Sequence, residues 1–126
     1  KAHDPVDGLS PVLAAAEVDQ LAERARGVKV DPSIVEYTLS LVEKTRQDPA
    51  LVAGVSPRGG IFLYRAVQAL AYVEGRDYAV PDDVKTLAVP VLAHRVIERS
   101  RRSLMDGRAG ALGVVQKLLE QVPAPQ

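Results

Sequence analysis

The sequence predicts an all-α bundle of about five helices with short connections. Two observations carry that expectation. Apolar residues recur at intervals of three and four in five separate stretches, and the stretches are set apart by Pro and Gly signals that start or stop helices. No stretch keeps the alternation of a half-buried strand, and no internal repeat is present.

Residues 1–10, which include two Asp, a Pro and a Gly, read as a linker, and residues 11–126 as the helical domain. Ser10-Pro11 offers a cap and a first-turn proline, so the first helix is expected over 11–26, with Ala14, Val18, Leu21, Ala22 and Ala25 on its apolar face and Gly27 as its stop. Val28-Lys29-Val30 is a short extended connector. Asp31-Pro32 opens the second helix, whose face is Ile34, Val35, Thr38, Leu39 and Val42, and Asp48-Pro49 ends it. The stretch 49–55 reads as loop. The third helix, over 57–74, is the longest; Leu63, Ala66, Val67, Leu70 and Ala71 form its buried stripe and Gly75 closes it. A turn follows over 76–80, with Tyr72 and Tyr78 as anchors. Pro81-Asp82-Asp83 starts a short helix with acids matched to its dipole and with Val84, Leu87 and Ala88 inward. Pro90 is expected to break it, leaving a separate turn over 91–94. The pattern dissolves from Arg95 to Gly110, then returns at Leu112, Val115, Leu118, Leu119 and Val122 as a last helix that stops at Pro123.

Composition narrows the function classes. At 126 residues the chain holds one domain. Apolar residues make up 47% and charged residues 25%, which matches a globular protein. No apolar stretch approaches a membrane span and the start lacks a signal peptide's apolar segment, so the chain reads as cytoplasmic. The missing initial Met suggests a processed chain or, the favoured reading, a piece cut from a longer protein. Absence of Cys excludes disulfides and thiolate metal sites, and a net charge of zero leaves no global field to recruit nucleic acid or an anionic membrane.

The segment Gly54-Val55-Ser56-Pro57-Arg58-Gly59-Gly60 asks for explanation. Ser56 as cap and Pro57 as first residue announce a helix, so Arg58 lies in its first turn, where the helix field favours anions. Two glycines follow, each unfavourable within a helix, and they offer bare backbone that something can approach. Arg65, seven residues on, points within about 20° of Arg58 and away from the buried stripe, giving the helix a basic edge. An Arg there suits phosphate oxygens; the competing reading is a surface Arg over apolar neighbours or beside a carboxylate.

Other chemistry is poorly supplied. Gly54 to Gly59 has the G-x-x-x-x-G spacing of a phosphate loop, but Gly60 and Ile61 stand where that loop needs Lys and Ser or Thr. The chain thus contains no catalytic set: its two histidines, His3 and His94, are far apart and lack a second ligand at helical spacing, so no metal site is expected either. Arg95, Arg99, Arg101, Arg102 and Arg108, opposed by Glu98 and Asp106, could track a phosphate backbone. Without interleaved aromatics, a solvated loop or an acidic protein neighbour is favoured over nucleic acid.

Read in order, Gly54-Val55-Ser56-Pro57-Arg58, Leu63-Tyr64-Arg65-Ala66, Gly75-Arg76-Asp77-Tyr78-Ala79-Val80-Pro81-Asp82-Asp83-Val84 and Val91-Leu92-Ala93-His94-Arg95 resemble the C-terminal helical lid of MoxR-type AAA+ ATPases. The related magnesium-chelatase lids share the Gly-Arg-Asp and Asp-Asp-Val features. The resemblance covers nearly the whole chain, and makes residues 1–10 the connector from a nucleotide-binding core.

That resemblance implies a role for each site residue. Arg58 matches the sensor-2 arginine, directed at the γ-phosphate of ATP held by the core, with Ser56, Pro57, Gly59 and Arg65 in support. ATP and Mg2+ would belong to the parent ATPase, with none held tightly by this chain. The implied partners are the chain's own AAA+ core and neighbouring subunits of a hexameric, chaperone-like remodeller. Gly59-Gly60 departs from the family, which commonly has Ala and another small or polar residue there, and the segment from Arg99 to Arg108 follows no family pattern. The alternative is a freestanding helical module that uses residues 95–108 on nucleic acid or protein.

Overall fold

A computed structural model describes residues 5–99 and 110–125. Five α-helices occur among them: α1 (Ala15–Arg26), α2 (Pro32–Gln47), α3 (Pro57–Val73), α4 (Pro81–Leu92) and α5 (Ala111–Gln121). Short 3-10 turns lie at Pro5–Gly8 and Ala93–Arg95. An antiparallel ribbon joins β1 (Leu51–Ala53) to β2 (Ile97–Glu98), with a register shift between Leu51 and Ala53. The fold is the expected all-α bundle with one small ribbon added. Among the described residues no helix is long and apolar enough to cross a membrane.

α3 lies at the centre, packed on α1, α2 and α4, while α5 closes over α2 and α4. Its residues Leu63, Val67 and Ala71 follow a four-residue spacing and so share one face. They meet Ile34, Tyr37, Leu41 and Val42 of α2, Val84, Ala88 and Leu92 of α4, and Val115 of α5 in a single core. One buried polar side chain, Gln68, ties α3 to the connector before α2: its Nε2 donates to the carbonyls of Arg26 and Val28, 2.9 Å from each.

The C-terminal end of α3 is closed by backbone and charge together. Gly75 takes a left-handed φ of +76°, its N–H donates to Tyr72, and the Arg76 N–H donates to Ala71, a Schellman closure that favours glycine. Arg76 then forks onto both oxygens of the buried Asp83 at 2.9 and 2.7 Å. Asp83 also accepts from the Val80 N–H at 2.8 Å, so the same carboxylate caps α4. Next to this turn, Lys29 pairs with the strand-like stretch at Tyr78 through two backbone bonds of 2.9 Å.

Several expectations need correction. α1 begins at Ala15 rather than Pro11, with its first turn closed by Glu17, whose carboxylate accepts from the Ala14 N–H. No residue of α1 is buried: Val18 and Leu21, expected inward, are exposed. In α2 the buried face turns toward Tyr37, Leu41 and Thr45, and Leu39 is exposed. Tyr78 is exposed rather than an anchor, and the buried residue of that turn is Ala79. Residues 51–53, expected as loop, form a strand because they pair with Ile97–Glu98, and Arg99 secures the chain just before it, its N–H donating to Ala50 and its guanidinium to Pro49 and Leu51. Pro90 does not end α4, which runs on to Leu92. The proline lies on the exposed side near the helix end, and the carbonyl it deprives of a donor, that of the exposed Thr86, can turn to water.

Burial alone pushes the Asp83 carboxyl up, but hydrogen bonds from Arg76 and the Val80 N–H, with the Arg76 charge, hold it below the ordinary value. A depressed folded pKa means that the unfolded chain takes up the proton first as pH falls. The Asp83 contribution is therefore complete above about pH 4 and is lost as pH falls through the lower folded value. Asp83→Ala should cost about 3 kcal/mol of unfolding free energy at neutral pH in a urea titration, and the gap between variant and wild type should narrow at acid pH. A gap unchanged between pH 7 and pH 3 would rule out the ionised pair as its source.

Candidate functional site

The start of α3 is positioned by the end of α2. The Thr45 hydroxyl donates to the Val42 carbonyl at 2.6 Å and accepts from the Val55 N–H at 2.9 Å, so a buried hydroxyl is satisfied on both counts. This brings the chain so near to α2 that a Cβ on Gly54 would lie 2.6 Å from backbone atoms of Thr45 and Arg46. Val55 follows as a fully buried side chain. A Cβ on Gly59 would lie only 2.4 Å from its Cγ1, and one on Gly60 would lie 3.4 Å from Val42. The bare backbone of Gly59 and Gly60 is thus approached by the protein's own valines. Both glycines are buried, which corrects their reading as an opening for a ligand.

Ser56 occupies the cap position in extended conformation, and its carbonyl accepts from the Gly59 N–H at 2.8 Å. Its hydroxyl makes no capping bond, contrary to the role expected of a cap Ser. Pro57 is the first helical residue, and the first turn contains no acid. Arg58 is exposed, and among the described residues its guanidinium has no hydrogen-bond or ion-pair partner. The Arg58 backbone N–H also lacks an acceptor there. Arg65 is likewise exposed and unpaired on the same edge. Between this edge and α2 runs an open groove of about 440 Å³, with Leu39, Ile61, Tyr64 and Arg65 on its walls.

A third arginine, distant in sequence, reaches the same helix from the 3-10 turn after α4. The Arg95 guanidinium lies 4.5 Å from the centroid of the Phe62 ring, and its Nε donates to the Val91 carbonyl at 3.0 Å. Its Cδ is 3.4 Å from where a Cβ on Gly59 would stand. Phe62 is the chain's only phenylalanine and sits one turn after Arg58, but its partner is more than thirty residues away. Local pattern reading had no means of pairing them.

The remaining arginine cluster divides. Arg99 is spent on backbone carbonyls of the ribbon, and Glu98 accepts from the Ala111 N–H at the start of α5. Arg101, Arg102, Asp106 and Arg108 lie outside the described residues, as does His3. His94 is exposed, and among the described residues no group of His, Asp or Glu could hold a metal. The arrangement can bind an anion through charge and N–H donors; it offers no nucleophile with a base beside it.

Known proteins match this chain along most of its length. The AAA lid domain family matches residues 43–111. The chain is 38% identical to the uncharacterized protein YeaC of Bacillus subtilis (strain 168) over 99% of this chain and 38% of that protein. It is 32% identical to the protein MoxR of Methylorubrum extorquens, over 78% of this chain and 32% of the relative. It is 30% identical to the chaperone MoxR1 of Mycobacterium tuberculosis, over 91% and 32% respectively. The chain thus spans about a third of the length of these relatives. A crystal structure from Cytophaga hutchinsonii, provisionally described as an ATPase, superposes with a TM-score of 0.73 at 25% identity, over 82% of this chain and 34% of that one.

The two glycines of the first turn should respond oppositely to alanine. Gly59→Ala forces a clash with the fully buried Val55 and should cost about 1 to 3 kcal/mol. Gly60→Ala meets Val42 at ordinary contact distance and gains helix propensity, so it should be neutral or stabilising by up to about 1 kcal/mol. Urea unfolding of the two variants checks this, and equal losses would contradict the packing described.

Proposed function

This chain belongs to the AAA lid domain family, as the lid of a MoxR-type AAA+ ATPase, and on that premise we propose that Arg58 is its sensor-2 arginine. In this reading Arg58 reaches the γ-phosphate of ATP held by the nucleotide-binding core. Residues 1–10 are the connector from that core and 11–126 the lid. The observation that carries the reading is a cation in the first turn of α3 that has no acid beside it and no partner among the described residues. A charge so placed is mismatched with its own helix, and a triphosphate offsets the mismatch when the lid closes.

Each supporting residue has a separate physical task. Pro57, preset for the first helical position after the extended Ser56, fixes where the helix begins, and so which residue stands at its second position. Gly59 lets α3 sit down on Val55, which holds that first turn against the bundle. Arg65 extends the positive edge by two turns. The chemistry that ATP and Mg2+ supply is the phosphoryl transfer itself, and it takes place in the core. The lid's contribution is electrostatic and conformational: it closes on the triphosphate, and loss of the γ-phosphate removes the contact that favoured closure. A hydrolysis cycle thereby becomes a lid motion, which suits a cytoplasmic, chaperone-like remodeller built as a hexameric ring.

The sequence of this chain has no P-loop, so in this reading the chain by itself does not hydrolyse ATP. In the full-length ATPase, Arg58→Ala should lower turnover by roughly 10²-fold, the order seen when one charge-stabilising donor is removed. The measurement is steady-state phosphate release at saturating ATP. Turnover within about twofold of wild type would refute the sensor role.

A further inference from the structure

We infer that Arg95 is a second arginine for the polyphosphate read by Arg58, its guanidinium held on the Phe62 ring with its terminal nitrogens left for the anion. This rests on the sensor reading of Arg58 and extends it to a residue of the turn after α4.

The placement comes first. Phe62 follows Arg58 by four residues, hence about 40° around the helix and one turn along it. The Arg95 guanidinium lies 4.5 Å from that ring's centroid, while its stem crosses the first turn of α3 close to Gly59. Two arginines from separate elements therefore converge on the turn at which α3 begins. A Cβ on Gly59 would clash with Val55 but would meet the Arg95 stem at ordinary contact distance, so the stem lies directly against this turn.

The chemistry comes second. Arg95 spends only Nε internally, on the Val91 carbonyl. Its two terminal nitrogens have no partner among the described residues, and no carboxylate there pairs with Arg58, Arg65 or Arg95. In a chain of net charge zero, three arginines without a carboxylate partner among the described residues, along the first turns of one helix, are a local excess of positive charge. The positive end of the α3 dipole adds to that excess. A planar fork already stacked on a ring loses little freedom when it binds phosphate oxygens, which distinguishes it from an arginine that is merely exposed.

The test uses the full-length ATPase and measures equilibrium binding of a fluorescent, non-hydrolysable ATP analogue and of the matching ADP derivative. Arg95→Ala should weaken the triphosphate analogue about tenfold or more, as loss of a charged hydrogen bond does, and leave the diphosphate within about twofold. Arg95→Lys keeps the stem and the charge but not the fork, and should fall between wild type and Arg95→Ala. It also keeps the question answerable if the alanine variant does not fold. Equal weakening of both nucleotides by the Arg95 variants, or no weakening, while Arg58→Ala discriminates between them, would reduce Arg95 to a packing residue and overturn the inference. If Arg58→Ala fails to discriminate while Arg95→Ala does so, the Arg95 contact stands and the reading of Arg58 falls.

Discussion

The passage of the chain from α2 into α3 depends on one hydroxyl. Thr45 accepts the Val55 N–H while donating to Val42, and so draws the Gly54-Val55 backbone against the last turns of α2 at a distance that only glycine permits. Val55 is then fully buried, Gly59 rests on it, and the first turn of α3 has a fixed position. Everything that makes the site follows from this: Arg58 faces solvent because the residue after it must face Val55. A buried hydroxyl with both hydrogen-bonding capacities used is a strong determinant of geometry, since any displacement leaves an unpaired polar group in the core.

The opposite end of α3 is secured by a different device, charge in place of close backbone contact. Arg76 and Asp83 link the Schellman turn after α3 to the first turn of α4, and the connector at Lys29 pairs alongside. A helix so held at both ends can act as a lever. Displacement of Arg58 by a bound anion would be carried to the rest of the bundle as rigid motion, because core side chains packed at crystal density do not deform gradually. This fits a domain whose proposed work is to convert the presence or absence of one phosphate into movement.

The sequence made the helix order legible because its signals are local. Asp31-Pro32, Ser56-Pro57 and Pro81-Asp82-Asp83 each stand at the start of an observed helix, and Gly75 adopts the left-handed conformation its position implied. Misreadings arose wherever the outcome depended on something distant. The apolar face of α1 has the right spacing, but periodicity states which residues share a face and not whether anything covers it. The β1–β2 ribbon joins segments more than forty residues apart, each too short to show alternation. Of the two glycines that stood out, only Gly59 is needed for a close approach, and the approaching group is Val55; a pattern in one stretch does not say which atoms arrive from another.

For the candidate site the division has the same physical origin. Sequence alone determined that a cation would sit in the first turn of a helix without an acid beside it, because caps, prolines and helix dipoles act within a few residues. Arg58 is therefore conspicuous from the sequence alone. Only the tertiary structure decided that Arg58 is exposed and unpaired among the described residues, that Gly59 serves packing, and that Arg95 lies over Phe62 one turn further along α3. Such facts depend on which surfaces meet when the chain closes on itself. That selection is made by burial and close packing over the whole core, and no local interaction encodes it.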